Sequence, residues 1–165
     1  MEFKKNSYKK QASAEEIDRK IRHYCAYQER SHYEVREKLY SLGLHQAQVE
    51  KALTQLIEDD YLNEERFARR FVSGRFSLKK WGRVKIKYEL KLKRVSEYNI
   101  KIGLKEIEEA RYAAVLKKLL EDKWLALKQE QPVARQAKAM AYLQQKGYEP
   151  ALVLQAIKAM KENGG

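Results

Sequence analysis

Few side chains in this sequence are placed where they could do chemistry. Asp59 and Asp60 could be imagined as metal-binding carboxylates of a nuclease, but two adjacent acids at the end of a predicted helix are expected to face water. The three histidines, His23, His32 and His45, stand in no metal-ligand spacing and have no cysteine partners. We therefore interpret them as surface or boundary residues.

Other catalytic signatures are also missing from the chain. Cys25 is the only cysteine, so neither a zinc-binding cysteine cluster nor an intramolecular disulfide can form. No glycine-rich phosphate loop and no serine-nucleophile signature occurs. The sequence predicts that the protein is not an enzyme and has no cofactor, no metal and no small-molecule substrate.

The basic residues are concentrated in one stretch. Between Arg66 and Arg94 there are twelve arginines and lysines and one acid, Glu89, which gives +11 of the formal net charge of +12. A solvated helix face would interleave both signs, since like charges one helical turn apart repel. We therefore predict an anionic partner, either nucleic acid or an acidic protein surface. The candidate binding residues are Arg66, Arg69, Arg70, Arg75, Lys79, Lys80, Trp81, Arg83, Lys85, Lys87, Lys91, Lys93 and Arg94.

Aromatic residues are interleaved with these cations. Phe67 and Phe71 are four residues apart, the spacing of one helix face, and are expected in the core. Trp81 lies between Lys80 and Gly82 and is the best candidate for an exposed residue on which a base could stack.

The composition predicts an all-α fold. The 165 residues include only seven Gly and two Pro, and strong helix formers dominate the stretches between them. The first thirteen residues are polar and lysine-rich with no apolar run behind them, which predicts neither a secretory signal nor a membrane span. With a single cysteine, this favours a cytoplasmic location.

A repeat of roughly fifty residues runs through the chain. Leu39, Leu90 and Leu143 are 51 and 53 residues apart, and each is followed by matching apolar and small residues. The spacing is typical of a helix, a short turn and a second helix, with a further helix before each pair. The matching columns are Leu44, Val95 and Tyr148; Val49, Ile100 and Val153; Leu53, Leu104 and Ile157; and Ala52, Gly103 and Ala156.

Start and stop signals agree with the repeat. Ser13 and Ser31, each followed three residues later by Glu, predict helices that begin near Ala14 and His32. Gly43 and Gly147 predict stops in the first and third copies. Pro132 predicts a new helix in the third copy.

One segment carries a conflicting pattern. From Val84 to Lys93, apolar residues alternate with charged ones, which is the period-two pattern of a half-buried strand. We nevertheless predict a helix, because a lone strand would have no partner and the repeat aligns this segment with the helix that contains Leu39.

These observations predict three tandem three-helix repeats that form an elongated, curved array. The predicted segments are a flexible basic arm at 1–12, repeat 1 at 13–61, basic repeat 2 at 62–108 and repeat 3 at 109–165.

The residues at the start of the second copy resemble a known family. Asp60-Tyr61-Leu62-Asn63-Glu64-Glu65-Arg66-Phe67-Ala68, followed by Phe71-Val72, Arg75, Gly82-Arg83-Val84 and Glu89-Leu90, is similar to the central signature of the RecX regulatory proteins. Ser31, Glu34, Lys38 and Leu39 resemble the first-repeat pattern of that family. One departure is Lys93-Arg94, where the family often has Lys-Gly, which puts a glycine-type helix stop in doubt there.

The resemblance implies a non-enzymatic modulator of the RecA recombinase. Proteins of this family bind the groove of the RecA filament on single-stranded DNA and restrain its ATPase, strand-exchange and coprotease activities, in DNA repair, homologous recombination and the SOS response. The expected partners are therefore the RecA filament and single-stranded DNA, with this chain as a monomer. The alternative is a sequence-nonspecific nucleoid protein or helix-turn-helix-like regulator that binds DNA directly.

Overall fold

The computed structural model describes residues 12–164, and within that range the secondary structure consists of nine α-helices without a strand. The predicted all-α class is confirmed. The predicted basic arm lies outside the described residues except for Ala12. The helices are α1 Ala14–Tyr27, α2 His32–Ser41, α3 Gln46–Glu58, α4 Glu64–Lys79, α5 Arg83–Leu92, α6 Glu97–Leu104, α7 Glu109–Ala126, α8 Pro132–Gln145 and α9 Pro150–Glu162.

Several helices begin where the sequence signals predict. The Ser13 hydroxyl accepts a hydrogen bond from the Glu16 amide at 3.2 Å, and the Ser31 hydroxyl accepts one from the Glu34 amide at 3.1 Å. Each bond satisfies an amide that has no partner inside its helix. Pro132 is the first residue of α8, where a proline loses no helical hydrogen bond.

Glycines or residues with positive φ follow the middle helix of each repeat. Gly43 has φ 96°, Arg94 has φ 56° and Gly147 has φ 99°. An L-residue pays a steric cost in this left-handed region, whereas glycine does not. The helix stop that Lys93-Arg94 put in doubt is therefore present, although an arginine occupies the position of a glycine.

The chain divides between Asn63 and Glu64 into two compact units. The first contains α1 to α3, and its core includes Ile21, Val35, Leu39 and Val49. The second contains α4 to α9 around one continuous core. Leu90 and Leu143, the repeat positions that match Leu39, are fully buried in that second core.

The disputed segment from Val84 to Lys93 is helical, as predicted. Ile86 and Leu90 are fully buried, whereas Val84, Tyr88 and Leu92 are exposed. A helix rotates by about 100° per residue, so residues four apart share a face. The alternating apolar residues therefore divide into two opposite faces of one helix.

Close backbone contacts join the second and third three-helix groups. The Gly82 amide donates to the Lys146 carbonyl at 2.8 Å, and the Val84 amide donates to the Gly147 carbonyl at 2.9 Å. A Cβ atom on Gly82 would lie 2.3 Å from the Gly147 carbonyl carbon. Only glycine allows the start of α5 to approach the end of α8 this closely.

None of the helices formed by residues 12–164 has both the length and the apolar character that crossing a bilayer requires.

Candidate partner and nucleic-acid interface

The predicted binding residues lie on α4, on α5 and on the turns that follow these two helices. The fold therefore brings both basic helices together in one three-helix group, where α4 and α5 are in contact. Phe67 and Phe71, as predicted, are core residues, with ring centroids 5.7 Å apart. The cations project from helices whose other face is anchored by this core.

Trp81 is the centre of a cluster of cations. The Lys85 Nζ atom lies 4.5 Å, the Lys79 Nζ atom 5.2 Å and the Arg75 Cζ atom 5.5 Å from the centroid of its ring. The electron-rich face of an aromatic ring attracts cations, which offsets part of the repulsion between them. We call Arg75, Lys79, Trp81 and Lys85 the Trp81 cluster.

The side chain of Trp81 is half-buried and packs against the core of the second unit. The predicted exposure of this residue is therefore only partial. Its ring acts in the structure as a platform for cations, and its use as a stacking surface for a base stays a prediction.

Within residues 12–164, the cations of the Trp81 cluster are not neutralised by carboxylates. Among the described residues, Arg75, Lys79 and Lys85 form no ion pair. The Arg75 Nε atom is buried and has no hydrogen-bond acceptor in this part of the chain. Three positive charges around one ring produce a local positive potential that favours an anion.

Several of the predicted binding residues are instead held in ion pairs. Arg69 binds Glu65 at 2.9 Å and Glu106 at 2.8 Å. Its hydrogen bonds to Glu106 and then to Glu65 raise the pKa of its guanidinium. These contacts connect α4 to the turn after α6. The charge of Arg69 is therefore largely neutralised by carboxylates of its own repeat.

Arg83 links the second and third three-helix groups. Its guanidinium binds Glu109 at 2.6 Å and Glu149 at 3.0 Å, and it lies 4.0 Å from the centroid of the Tyr112 ring. Burial lowers the pKa of Arg83, but the hydrogen bond to Glu109 and the charge of Glu149 outweigh burial and raise it. The Tyr112 hydroxyl donates to Glu149 at 2.5 Å, which closes the network.

The other predicted cations lie on α4, on α5 and on the turns that follow them, outside the Trp81 cluster. Lys91 binds Glu97 at 3.5 Å, and the Lys80 ammonium donates to the Ser77 carbonyl at 3.1 Å. Lys87 is exposed on α5. Arg66 and Lys93 are half-buried, and Arg70 and Arg94 are exposed.

Comparison with known proteins identifies the family. Three family models match in order along the chain: the first three-helix domain of RecX over residues 22–56, the second over 63–104 and the third over 109–157. The regulatory protein RecX of Prosthecochloris aestuarii is 30% identical over 142 residues, which are 85% of this chain and 90% of that protein. This chain belongs to the RecX family. The three predicted three-helix repeats are confirmed as RecX domains.

Further RecX proteins agree with this assignment. RecX of Clostridium perfringens is 34% identical over 119 residues, which are 70% of this chain and 54% of that protein. The crystal structure of RecX from Lactobacillus salivarius matches with a TM-score of 0.81 at 21% identity, over 89% of this chain and 96% of that one. A second RecX crystal structure has a TM-score of 0.76 at 20% identity, over 87% and 73%. Both show the fold.

A second basic and aromatic surface lies on the first RecX domain, where we made no prediction. The Arg30 Cζ atom lies 3.7 Å and the Lys38 Nζ atom 5.5 Å from the centroid of the Tyr24 ring. With Arg19, Lys20, His23 and Tyr27, these residues line a shallow depression of about 680 Å³. This surface was missed in the sequence because nearby acids lower the net charge of the segment. A charge summed along the chain does not distinguish one face of a helix from another.

Asp59 and Cys25, which were considered above for metal binding, have structural roles in this RecX protein. Asp59 accepts a hydrogen bond from Arg22 at 2.8 Å, and this bond, then the one from Gln55, lowers the pKa of Asp59. Cys25 is buried, which raises its pKa to about 11. Across residues 12–164, no group of three His, Cys, Asp or Glu side chains could hold a metal ion.

Proposed function

We propose that this protein is a mainly negative regulator of the RecA recombinase, without enzymatic activity of its own. It binds in the groove of the RecA filament on single-stranded DNA and restrains ATP hydrolysis, strand exchange and coprotease activity in DNA repair, homologous recombination and the SOS response. The observation that carries the proposal is the Trp81 cluster, on the most basic of three RecX domains. The proposal implies a cytoplasmic monomer.

The chemistry of the cluster supports an anionic partner. An incoming phosphate or carboxylate would pair with Lys79 and Lys85, neither of which gives up an ion pair with another described residue to do so. A filament on single-stranded DNA offers both kinds of anion side by side. Relief of the repulsion among Arg75, Lys79 and Lys85 then adds to the affinity.

The proposal is tested with RecA assembled on single-stranded DNA. We expect stoichiometric protein to slow ATP hydrolysis, and the double variant Lys79→Gln, Lys85→Gln to require a higher concentration for the same effect. The matched control is Lys128→Gln with Lys158→Gln, two exposed lysines of the third domain outside any ion pair of the described residues. Unchanged hydrolysis with the wild-type protein refutes the proposal.

Direct, sequence-nonspecific binding of DNA is the alternative, and the Trp81 cluster favours it equally. The two functions differ in their dependence on salt. Neutralising about six to ten phosphates lowers affinity by roughly 10³ to 10⁵ between about 50 and 200 mM salt. A partner contacted mostly through protein gives a flatter dependence, so salt titrations with bare DNA and with the filament distinguish the alternatives.

A further inference from the structure

The exposed face of α5 carries an apolar stripe. Val84 is 51%, Tyr88 60% and Leu92 55% exposed, and the three residues are four apart. Ile86 and Leu90, on the opposite face, are fully buried and hold the helix in place. Among the described residues, no other helix presents three large exposed apolar side chains. We call Val84, Tyr88 and Leu92 the α5 stripe.

Lysines border the stripe on both sides. At about 100° per residue, Lys85 lies about 60° from Tyr88 on one side, and Lys91 lies about 60° away on the other, with Lys87 beyond it. The only acid in α5, Glu89, is set about 100° from Tyr88. The charge of Lys91 is offset by its ion pair with Glu97, whereas Lys85 and Lys87 form no ion pair among the described residues. The surface therefore has an apolar centre, and Lys85 and Lys87 supply its positive rim.

We propose that the α5 stripe is a docking surface for a protein groove that is apolar at its centre and acidic at its rim. Charge complementarity to the lysine border identifies the acidic rim. Apolar residues spaced by four on one helix match the pattern of a helix that binds in a groove. The inference rests on the proposed function, because it assigns the groove to the protein component of the RecA filament.

DNA fits this face less well than a protein does. Phosphates gain nothing from contact with Val84, Tyr88 and Leu92, and helices that read DNA present mainly polar side chains to it. Burial of apolar surface, in contrast, stabilises a protein complex, and tyrosine is enriched among the residues that dominate binding energy. The Trp81 cluster shares Lys85 with the rim of the stripe, so anion binding and protein docking meet on the same helix.

The test compares two variants that remove exposed apolar side chains. One is Tyr88→Gln with Leu92→Gln in the stripe. The control is Leu125→Gln with Val133→Gln in the third domain, where the exposed fractions are 66% and 85%. Circular dichroism melts verify that both fold like the wild type. Affinity is measured by fluorescence anisotropy for RecA filaments on single-stranded DNA, for bare single-stranded DNA and for anionic lipid vesicles.

We expect the stripe variant to bind filaments at least about tenfold more weakly than the wild type and to bind bare DNA equally well. The control should match the wild type with both ligands. Filament binding by the stripe variant at wild-type affinity overturns the inference alone. An equal loss of affinity for bare DNA would identify the stripe as a DNA-binding face. Vesicle binding that depends on the stripe would identify it as a membrane-binding face. Either result overturns the inference. If the wild type does not bind filaments, the proposed function fails and the inference falls with it.

Discussion

The backbone amide of Val95 donates a hydrogen bond to the carbonyl of Leu90 at 3.1 Å. In the same way, the Leu44 amide donates to the Leu39 carbonyl, five residues earlier, at 3.3 Å, and the Tyr148 amide donates to the Leu143 carbonyl at 3.0 Å. Each is accompanied by a second bond from the residue with positive φ, as in the Arg94 amide to the Lys91 carbonyl at 2.9 Å. This is the Schellman motif, which ends a helix with one residue in the left-handed conformation.

The first prediction concerns the strained residue of this motif. Replacing Arg94 with Gly removes the steric cost of φ 56° and should raise the free energy of unfolding by about 0.5 to 1 kcal/mol. Urea unfolding measures the change. Arg94→Ala is the control, because it removes the charge but keeps the Cβ atom. If Ala stabilises as much as Gly, the cause is charge and not backbone conformation.

The motif also explains why the repeat could be found in the sequence. The two apolar residues five apart, such as Leu90 and Val95, are the residues that this cap joins, and their contact is part of the motif. The spacing therefore reflects a physical requirement and persists although Arg94 replaces glycine in the second copy. The helix at Val84 to Lys93 was predicted on the same ground, against a period-two pattern that favoured a strand.

The second prediction concerns the contact between Gly82 and Gly147. Gly82→Ala places a Cβ atom 2.3 Å from the Gly147 backbone and should lower the free energy of unfolding by about 1 to 3 kcal/mol. Gly74→Ala is the matched control, since a Cβ atom there meets nothing within 4 Å. Because Gly74 lies within α4, alanine should stabilise the protein by about 0.5 to 1 kcal/mol. Equal effects of the two substitutions on urea unfolding contradict the close approach.

The candidate site was only partly predictable. Sequence position located the cations on α4 and α5, but several of their carboxylate partners come from distant residues, such as Glu106 for Arg69 and Glu149 for Arg83. A sum of charges along the chain cannot separate a cation that holds two domains together from one that faces a partner. The ring contacts of Lys79 and Lys85 with Trp81 likewise depend on how α4 and α5 meet.

The third prediction separates structural from binding cations. Arg83→Gln should lower the free energy of unfolding by about 1 to 3 kcal/mol, because it leaves Glu149 without its charged partner. The slope of log affinity for DNA against log salt should be the same for Arg83→Gln as for the wild type. Lys79→Gln should leave stability unchanged and reduce the slope of log affinity against log salt for single-stranded DNA by about 0.7, the value for one phosphate contact. Urea unfolding and DNA titrations at several salt concentrations measure both. The reverse result would assign Arg83 to binding and Lys79 to structure.

The fourth prediction concerns the metal-binding hypothesis for the two acids. Replacing Asp59 and Asp60 together with Asn should leave the effect on RecA ATP hydrolysis intact. Asp59 accepts hydrogen bonds from Arg22 and Gln55. The double substitution should therefore lower the free energy of unfolding slightly and have no other effect. The wild-type protein is also treated with a chelator for divalent ions, which is removed by dialysis before the assay so that the magnesium in the ATP hydrolysis mixture is unchanged. Loss of regulation in the variant at unchanged folding contradicts a purely structural role.

The fifth prediction concerns the buried thiol of Cys25 and its effects on labelling and on the pH dependence of stability. Burial raises the pKa of this thiol from 9.0 to about 11, so its thiolate fraction at about pH 8 falls roughly 100-fold below that of the unfolded chain. Labelling by a thiol reagent should slow at least that much in the native protein and recover in denaturant. Equal labelling rates in both conditions would show that the thiol is accessible and its pKa ordinary.

The same shift has a consequence for stability. Above about pH 9 the unfolded chain loses the thiol proton while the folded protein keeps it, so the unfolded state binds fewer protons and stability falls as pH rises towards about 11. Cys25→Ala lacks this group and should lose less stability than the wild type between about pH 8 and pH 10. Urea unfolding at both pH values measures the difference. Because the tyrosines Tyr112 and Tyr148, whose pKa values burial also raises, are present in both proteins, their contribution cancels in the comparison.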